Sequence, residues 1–172
     1  NKSVNMNVKL AEGQYIEHHI SLTDNANLVD FKINLVGMNG IIASNNNFLD
    51  LVWKQSLLQQ EKTHDAEEKT STIYYRYPNE DPEYLAETEA GKEDVKTPIQ
   101  WISYKQQYFN SSLIGKQNFD NAALETKLDE SKKYVKILSS NIGLTYGHSA
   151  NEAYAMQFYF GPNHYKTLKA LD

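Results

Sequence analysis

Period-two alternation of apolar and polar residues constrains this chain more than any other feature. Val4, Met6, Val8 and Leu10 alternate with polar neighbours, Glu12 and Gly13 interrupt, and Ile16, His18, Ile20 and Leu22 resume the spacing. Successive side chains on a strand point to opposite faces, so each run reads as a strand with one face for a core and one for water. The two runs predict an antiparallel hairpin. After a polar turn at residues 23–27, Val29, Phe31, Ile33 and Leu35 form a third alternating strand that ends at Gly37. Three strands at regular spacing predict a sandwich or a barrel.

Strand signals continue along the chain, with interruptions. Residues 48–58 fit both periods and are assigned to a strand. Residues 61–69 are charged and poor in apolar side chains, and residues 73–77 form a short aromatic strand stopped by Pro78. The acidic stretch 79–96 (NEDPEYLAETEAGKEDVK) reads as an exposed loop with a helical turn at residues 84–87. Strands are expected at residues 99–105 and 108–114, the pair being closed by Gly115. At residues 118–128, Phe119, Ala122, Ala123 and Leu124 cluster at helical spacing, which predicts an internal helix or a partly ordered excursion. Two late strands, 134–138 and 154–160, are joined through Gly143 and Gly147. The period then changes, and Pro162 with Tyr165, Leu168 and Leu171 predicts a short C-terminal helix.

Length and composition limit what these elements can do. With 172 residues the chain can bury one sizeable core, so a single domain or a large piece of one is expected. No apolar run approaches the roughly 20 residues of a spanning helix. No signal peptide or initiator Met stands at Asn1, which reads as an excised fragment. The absence of cysteine removes disulfides, thiolate metal sites and a cysteine nucleophile together. A net charge of −5 without clustered Lys and Arg argues against a nucleic-acid partner.

Candidate chemistry is sparse. His18 and His19 are adjacent on a strand, point to opposite faces and cannot share a metal. His64 and Asp65 with Glu67 and Glu68 could supply metal ligands or an acid–base pair, but a solvated charged turn is the preferred reading. His148 and His164 lack a local partner. Trp101, Tyr104, Tyr108 and Phe109 could form a stacking or peptide-binding surface, yet aromatics on strands more often pack in the core. Gln106 and Gln107 could read a partner's backbone, or one faces solvent while the other satisfies a neighbouring loop. No catalytic, cofactor-binding or metal-binding residue is assigned, and no enzymatic activity is expected.

Two segments carry a resemblance. WISYKQQYFNSSLI, starting at Trp101, and MQFYFGPNHYKTLKAL, starting at Met156, together resemble the periplasmic domain of the bacterial membrane protein insertase YidC. YRYPNEDPEYL, starting at Tyr75, looks like the version in Bacteroidetes-type members. The pattern is composite: Trp101, then Gln106, Gln107, Tyr108 and Phe109, then Phe158 followed by Gly161 and Pro162 and a helix. It is strongest from Ile73 to the end, and its residues read as sandwich packing.

The resemblance implies a mainly β, extracytoplasmic antiparallel β-supersandwich, similar to galactose-mutarotase-like domains, with short helices including one at the C-terminus. This chain would be the C-terminal portion, on the periplasmic side of the inner membrane and anchored there in the full-length protein. Its helix at residues 162–172 would lead towards the membrane, with Tyr165 and Leu168 as contact residues. Implied partners are the Sec translocon, its accessory subunits and nascent membrane proteins; no cofactor is implied. Two departures accompany it: strands that complete the family's sandwich are expected to be missing, leaving edges to be covered, and the charged membrane groove of the insertase is not in this sequence. The alternative is a carbohydrate-binding or mutarotase-like domain, which requires His64 or His148 to meet a carboxylate in an aromatic-lined cleft.

Overall fold

The computed structural model describes residues 2–22 and 27–163. The opening alternation forms β1 (Lys2–Ala11), β2 (Gln14–Leu22) and β3 (Leu28–Val36), paired antiparallel in that order. The ambiguous stretch that follows a short 3-10 turn is β4 (Phe48–Ser56). Then come α1 (His64–Glu68), β5 (Thr72–Arg76), β6 (Glu83–Tyr84), β7 (Gly91–Val95), β8 (Ile99–Lys105), β9 (Phe109–Phe119), β10 (Asn121–Lys127), β11 (Ile137–Thr145) and β12 (Asn151–Pro162).

Among the described residues these strands make two sheets. The long sheet runs β1-β2-β3-β12-β9-β8-β5-β6 and the short one β4-β11-β10-β7. Every strand pairing is antiparallel. Stacking the inner faces creates the core: Ile73, Ile102, Leu113 and Met156 from the long sheet meet Leu124, Leu138 and Ile142 from the short one. Tyr104 ties the layers together. Its hydroxyl donates to the Trp53 carbonyl (2.8 Å) and is hydrogen-bonded to Ser140 Oγ (2.9 Å), while its ring stacks on Trp53 at 3.8 Å.

Several expectations are corrected. Residues 118–128 are not a helix: Phe119 ends β9, and Ala122, Leu124 and Thr126 bury one face of β10 with period two. The cluster at helical spacing mixed residues from both faces of a strand. Gly115 does not close a strand but sits at a bulge within β9, where a Cβ would collide with the Gln117 carbonyl oxygen. Gly143 lies inside β11, with the Asn121 side chain in the space its own would take. That late strand starts at Ile137 and reaches Thr145, beyond the expected 134–138.

The acidic stretch 79–96 is not simply an exposed loop. It holds β6 and β7, and buries Leu85 and Val95; no helical turn forms at residues 84–87, where Tyr84 belongs to β6 and Leu85 N–H donates to the Ile73 carbonyl (3.0 Å). Nor is the charged segment 61–69 merely solvated. It forms α1, and Glu67 is buried because its Oε2 accepts the backbone N–H groups of Gln60 (2.9 Å) and Glu61 (3.1 Å). Pro162 closes β12 opposite Phe109 rather than opening a helix, a position where its missing N–H is tolerated. Tyr165, Leu168 and the rest of the expected C-terminal helix lie outside the described residues.

Candidate interaction surface

The short sheet spans four strands and the long sheet eight, so part of the long sheet's inner face has no layer above it. Trp53 of β4 meets Phe158 of β12 edge-on at 5.6 Å, which seats β4 above β12. Beyond β4 the short sheet has no further strand among the described residues. The inner face of β1 and β2 is therefore uncovered. Register places Val4 beside Ile20, Met6 beside His18 and Val8 beside Ile16 on that face. Val4, Met6, Val8 and Leu10 are 50–62% exposed, and Ile16, His18 and Ile20 are half-buried. This apolar shelf borders the free edge of β4, whose outward Phe48 and Val52 are also exposed.

The motif residues divide by location. Phe158 joins an aromatic cluster with Phe31 (5.7 Å), Trp53 and Phe160 (5.5 Å). Trp101 is half-buried on the outer face, opposite Arg76 and Ile114. Gly161 leaves room for the Tyr159 hydroxyl, which donates to the Pro162 carbonyl (2.9 Å). Tyr108 and Phe109 differ from the expected core packing, since both are exposed. Gln106 and Gln107 form the β8–β9 turn, and it is their carbonyls that are held, accepting from Asn163 Nδ2 at 2.7 and 3.2 Å. Asn163 N–H also donates to the Tyr108 carbonyl (2.7 Å), and Asn110 Nδ2 donates to Asn163 Oδ1 (2.7 Å). Sequence reasoning missed Asn163, because a single Asn after Gly-Pro carries no periodic signal.

Ionisable side chains here serve packing. His18 and His19 face opposite sides of β2 as expected; His18 meets Phe31 edge-on at 5.4 Å, and His19 Nδ1 is hydrogen-bonded to Asn5 Oδ1. His64 Nε2 is hydrogen-bonded to the Tyr134 carbonyl (3.1 Å), and its Nδ1 lies 3.8 Å from Asp65. Lys136 is fully buried, its ammonium donating to the carbonyls of Ser71 (2.7 Å) and Glu87 (2.6 Å). Burial pushes this lysine below its ordinary pKa, against the opposing pull of Glu68 and Glu87. Among the described residues no three His, Asp or Glu side chains are grouped to hold a metal ion.

The requirement of a sugar site is met only in part. A cleft of ≈ 320 Å³ lies between β9, β11 and β12, lined by Lys116, Phe119, Asp120, Thr145 and Tyr154 among others. His148 stands near Glu152 beside it, its ring 4.5 Å from that of Tyr146. The Glu152 carboxylate, however, accepts from Gly147 N–H (3.1 Å), Ser149 N–H (2.8 Å) and the Tyr154 hydroxyl (2.9 Å), closing the loop that contains His148. Burial pushes Glu152 up, but those donors and His148 outweigh it and hold the carboxyl below its ordinary value. A carboxylate so occupied caps a loop and makes a poor general base.

The family profile described as YidC periplasmic domain matches residues 1–172. A membrane protein insertase YidC of Bacteroides fragilis is 32% identical over 171 residues, covering 99% of this chain and 28% of the relative. Those of Phocaeicola vulgatus (34% over 167 residues; 96% of this chain, 27% of the relative) and Parabacteroides distasonis (30% over 170 residues; 99% and 27%) align similarly. The chain thus spans little more than a quarter of these relatives' length. With its whole length matched, the chain belongs to the YidC periplasmic domain family.

Proposed function

We propose that this chain is a non-catalytic interaction module of a membrane protein insertase, working on the periplasmic side of the inner membrane. It supports insertion by docking accessory subunits of the Sec translocon or by transiently holding nascent membrane-protein segments. The observation that carries this reading is the apolar shelf of β1 and β2 beside the unpaired edge of β4. An extended segment added to that edge makes backbone hydrogen bonds regardless of its sequence and lays alternate side chains on the shelf. Low sequence selectivity suits a module that meets many substrates.

A photoreactive side chain at Val52 on β4, and a second at Met6 on β1, tests this in the full-length protein within cells. Adducts with nascent chains support the holding role, and adducts with translocon subunits support docking. Adducts confined to other parts of the same polypeptide overturn both.

A further inference from the structure

Apart from the β1–β2 shelf, four exposed apolar side chains of the long sheet gather at one end of it. Leu22 closes β2, Tyr108 precedes β9, Phe109 opens β9 and Phe160 lies near the end of β12; all four are 49–55% exposed. Register makes them neighbours. Phe109 pairs with Pro162 and Ser111 with Phe160, so the two phenyl rings are diagonal neighbours on one face. Phe160 N–H donates to the Asn27 carbonyl (2.9 Å), and Leu22 is linked to Phe158 through their common partner Val29.

This end is held firmly, and its two aromatic strands carry no ionised side chain there, although Lys2 lies beside Leu22 and Lys105 beside Asn110. Asn163 latches the β8–β9 turn to the end of β12 through its hydrogen bonds to Gln106, Gln107, Tyr108 and Asn110. Residues 106–115 and 154–163 contain no Asp, Glu, Lys, Arg or His. Tyr108 keeps a polar tip, its hydroxyl accepting from Gln107 Nε2 (3.1 Å). The opposite end of the same strands differs: Glu12 sits at the β1–β2 turn, Lys116 and Asp120 flank the end of β9, and Glu152 lies at the start of β12.

We propose that the end formed by Leu22, Tyr108, Phe109 and Phe160 rests in the headgroup layer of a lipid bilayer and orients the domain on it. The proposal rests on the reading of this chain as a domain of a membrane-anchored insertase. Aromatic rings bordered by amides and a phenol suit the boundary between headgroups and acyl chains, where one side of a ring is apolar and the other wet. The ends of β9 and β12 enter that layer with no ion of their own to desolvate, while Lys2 beside Leu22 and Lys105 beside Asn110 can reach the headgroups. Four side chains give shallow contact, enough to orient a domain already tethered nearby.

The chain's lack of cysteine makes the test direct. A single cysteine introduced as Phe109→Cys, or as Phe48→Cys for comparison, is labelled with an environment-sensitive fluorophore in a full-length protein otherwise free of cysteine, reconstituted alone in lipid nanodiscs. Phe48 pairs with Thr145, whose carbonyl accepts from the Tyr154 hydroxyl, so it marks the opposite end. Lipids spin-labelled at the headgroup should quench the emission at position 109, the depth at which interfacial aromatic side chains sit, and leave position 48 almost unchanged. Quenching at neither position, or at position 48 instead, overturns the proposal. A Phe160→Asp substitution should abolish quenching at position 109, and retained quenching would also overturn it. Photo-crosslinking at Val52 reports on protein docking separately, so lipid contact can fail while docking stands, and the reverse.

Discussion

β8 and β9 carry the same kind of apolar alternation as β1 and β2, with the opposite outcome. Ile102, Tyr104 and Leu113 are fully buried, whereas Val4, Met6 and Val8 are at least half exposed. Composition does not separate them. What differs is the layer above: β8 and β9 lie beneath the short sheet, and β1 and β2 lie beyond its last strand, β4. At about 4.8 Å per strand, four strands cannot roof eight. The covered half is a closed core bridged across the layers by Tyr104, and the uncovered half leaves its apolar face exposed.

That contrast can be broken most directly by truncation. Leu113→Ala should destabilise the chain by about 2–5 kcal/mol in urea unfolding, because it opens a cavity between two packed sheets. A loss below about 1 kcal/mol would mean that the two layers are not tightly packed there. Tyr104→Phe tests the strut between layers. Removing a hydroxyl that serves the Trp53 carbonyl and Ser140 should cost about 1–2 kcal/mol, with little change in the denaturant slope.

The buried ammonium of Lys136 sharpens the contrast through pH. Its pKa is lower folded than unfolded, so between those two values the unfolded chain binds more protons. Stability should therefore rise as pH increases towards the ordinary lysine value, and this rise should be absent from Lys136→Met. An unchanged pH slope in the variant would remove Lys136 as its origin. The smallest effect is expected on the shelf. Met6→Ala should shift stability by less than about 0.5 kcal/mol, because little of that side chain leaves water when the chain folds. A loss comparable to that of Leu113→Ala would show the shelf covered in solution.

Strands β1 to β5, β8, β12 and the first half of β9 were legible because their alternation follows from local backbone geometry. Residues 118–128 misled because Ala123 and Leu124 bring opposite strand faces next to each other in sequence, which a helical reading joins into one. The acidic stretch 79–96 misled for a different reason: β6 and β7 are short edge strands whose few apolar anchors, Leu85 and Val95, are diluted among exposed acids. Glu67 looked solvated since nothing near it in sequence announces that Gln60 and Glu61 would aim their N–H groups at it. At the motif, Trp101 to Phe109 were readable as a strand and turn, but the exposure of Tyr108 and Phe109 was not.

The sequence by itself determined the β architecture, the faces that residues share and, through the spacing of its two aromatic segments, the family. Period two and residue order are local properties, and they survive whatever packs around them. The tertiary structure alone decided which apolar faces are buried, because burial depends on how many strands the second sheet brings and where its edge falls. The same non-local pairing gathered Leu22, Phe109 and Phe160 at one end and left the neighbouring β1–β2 face open.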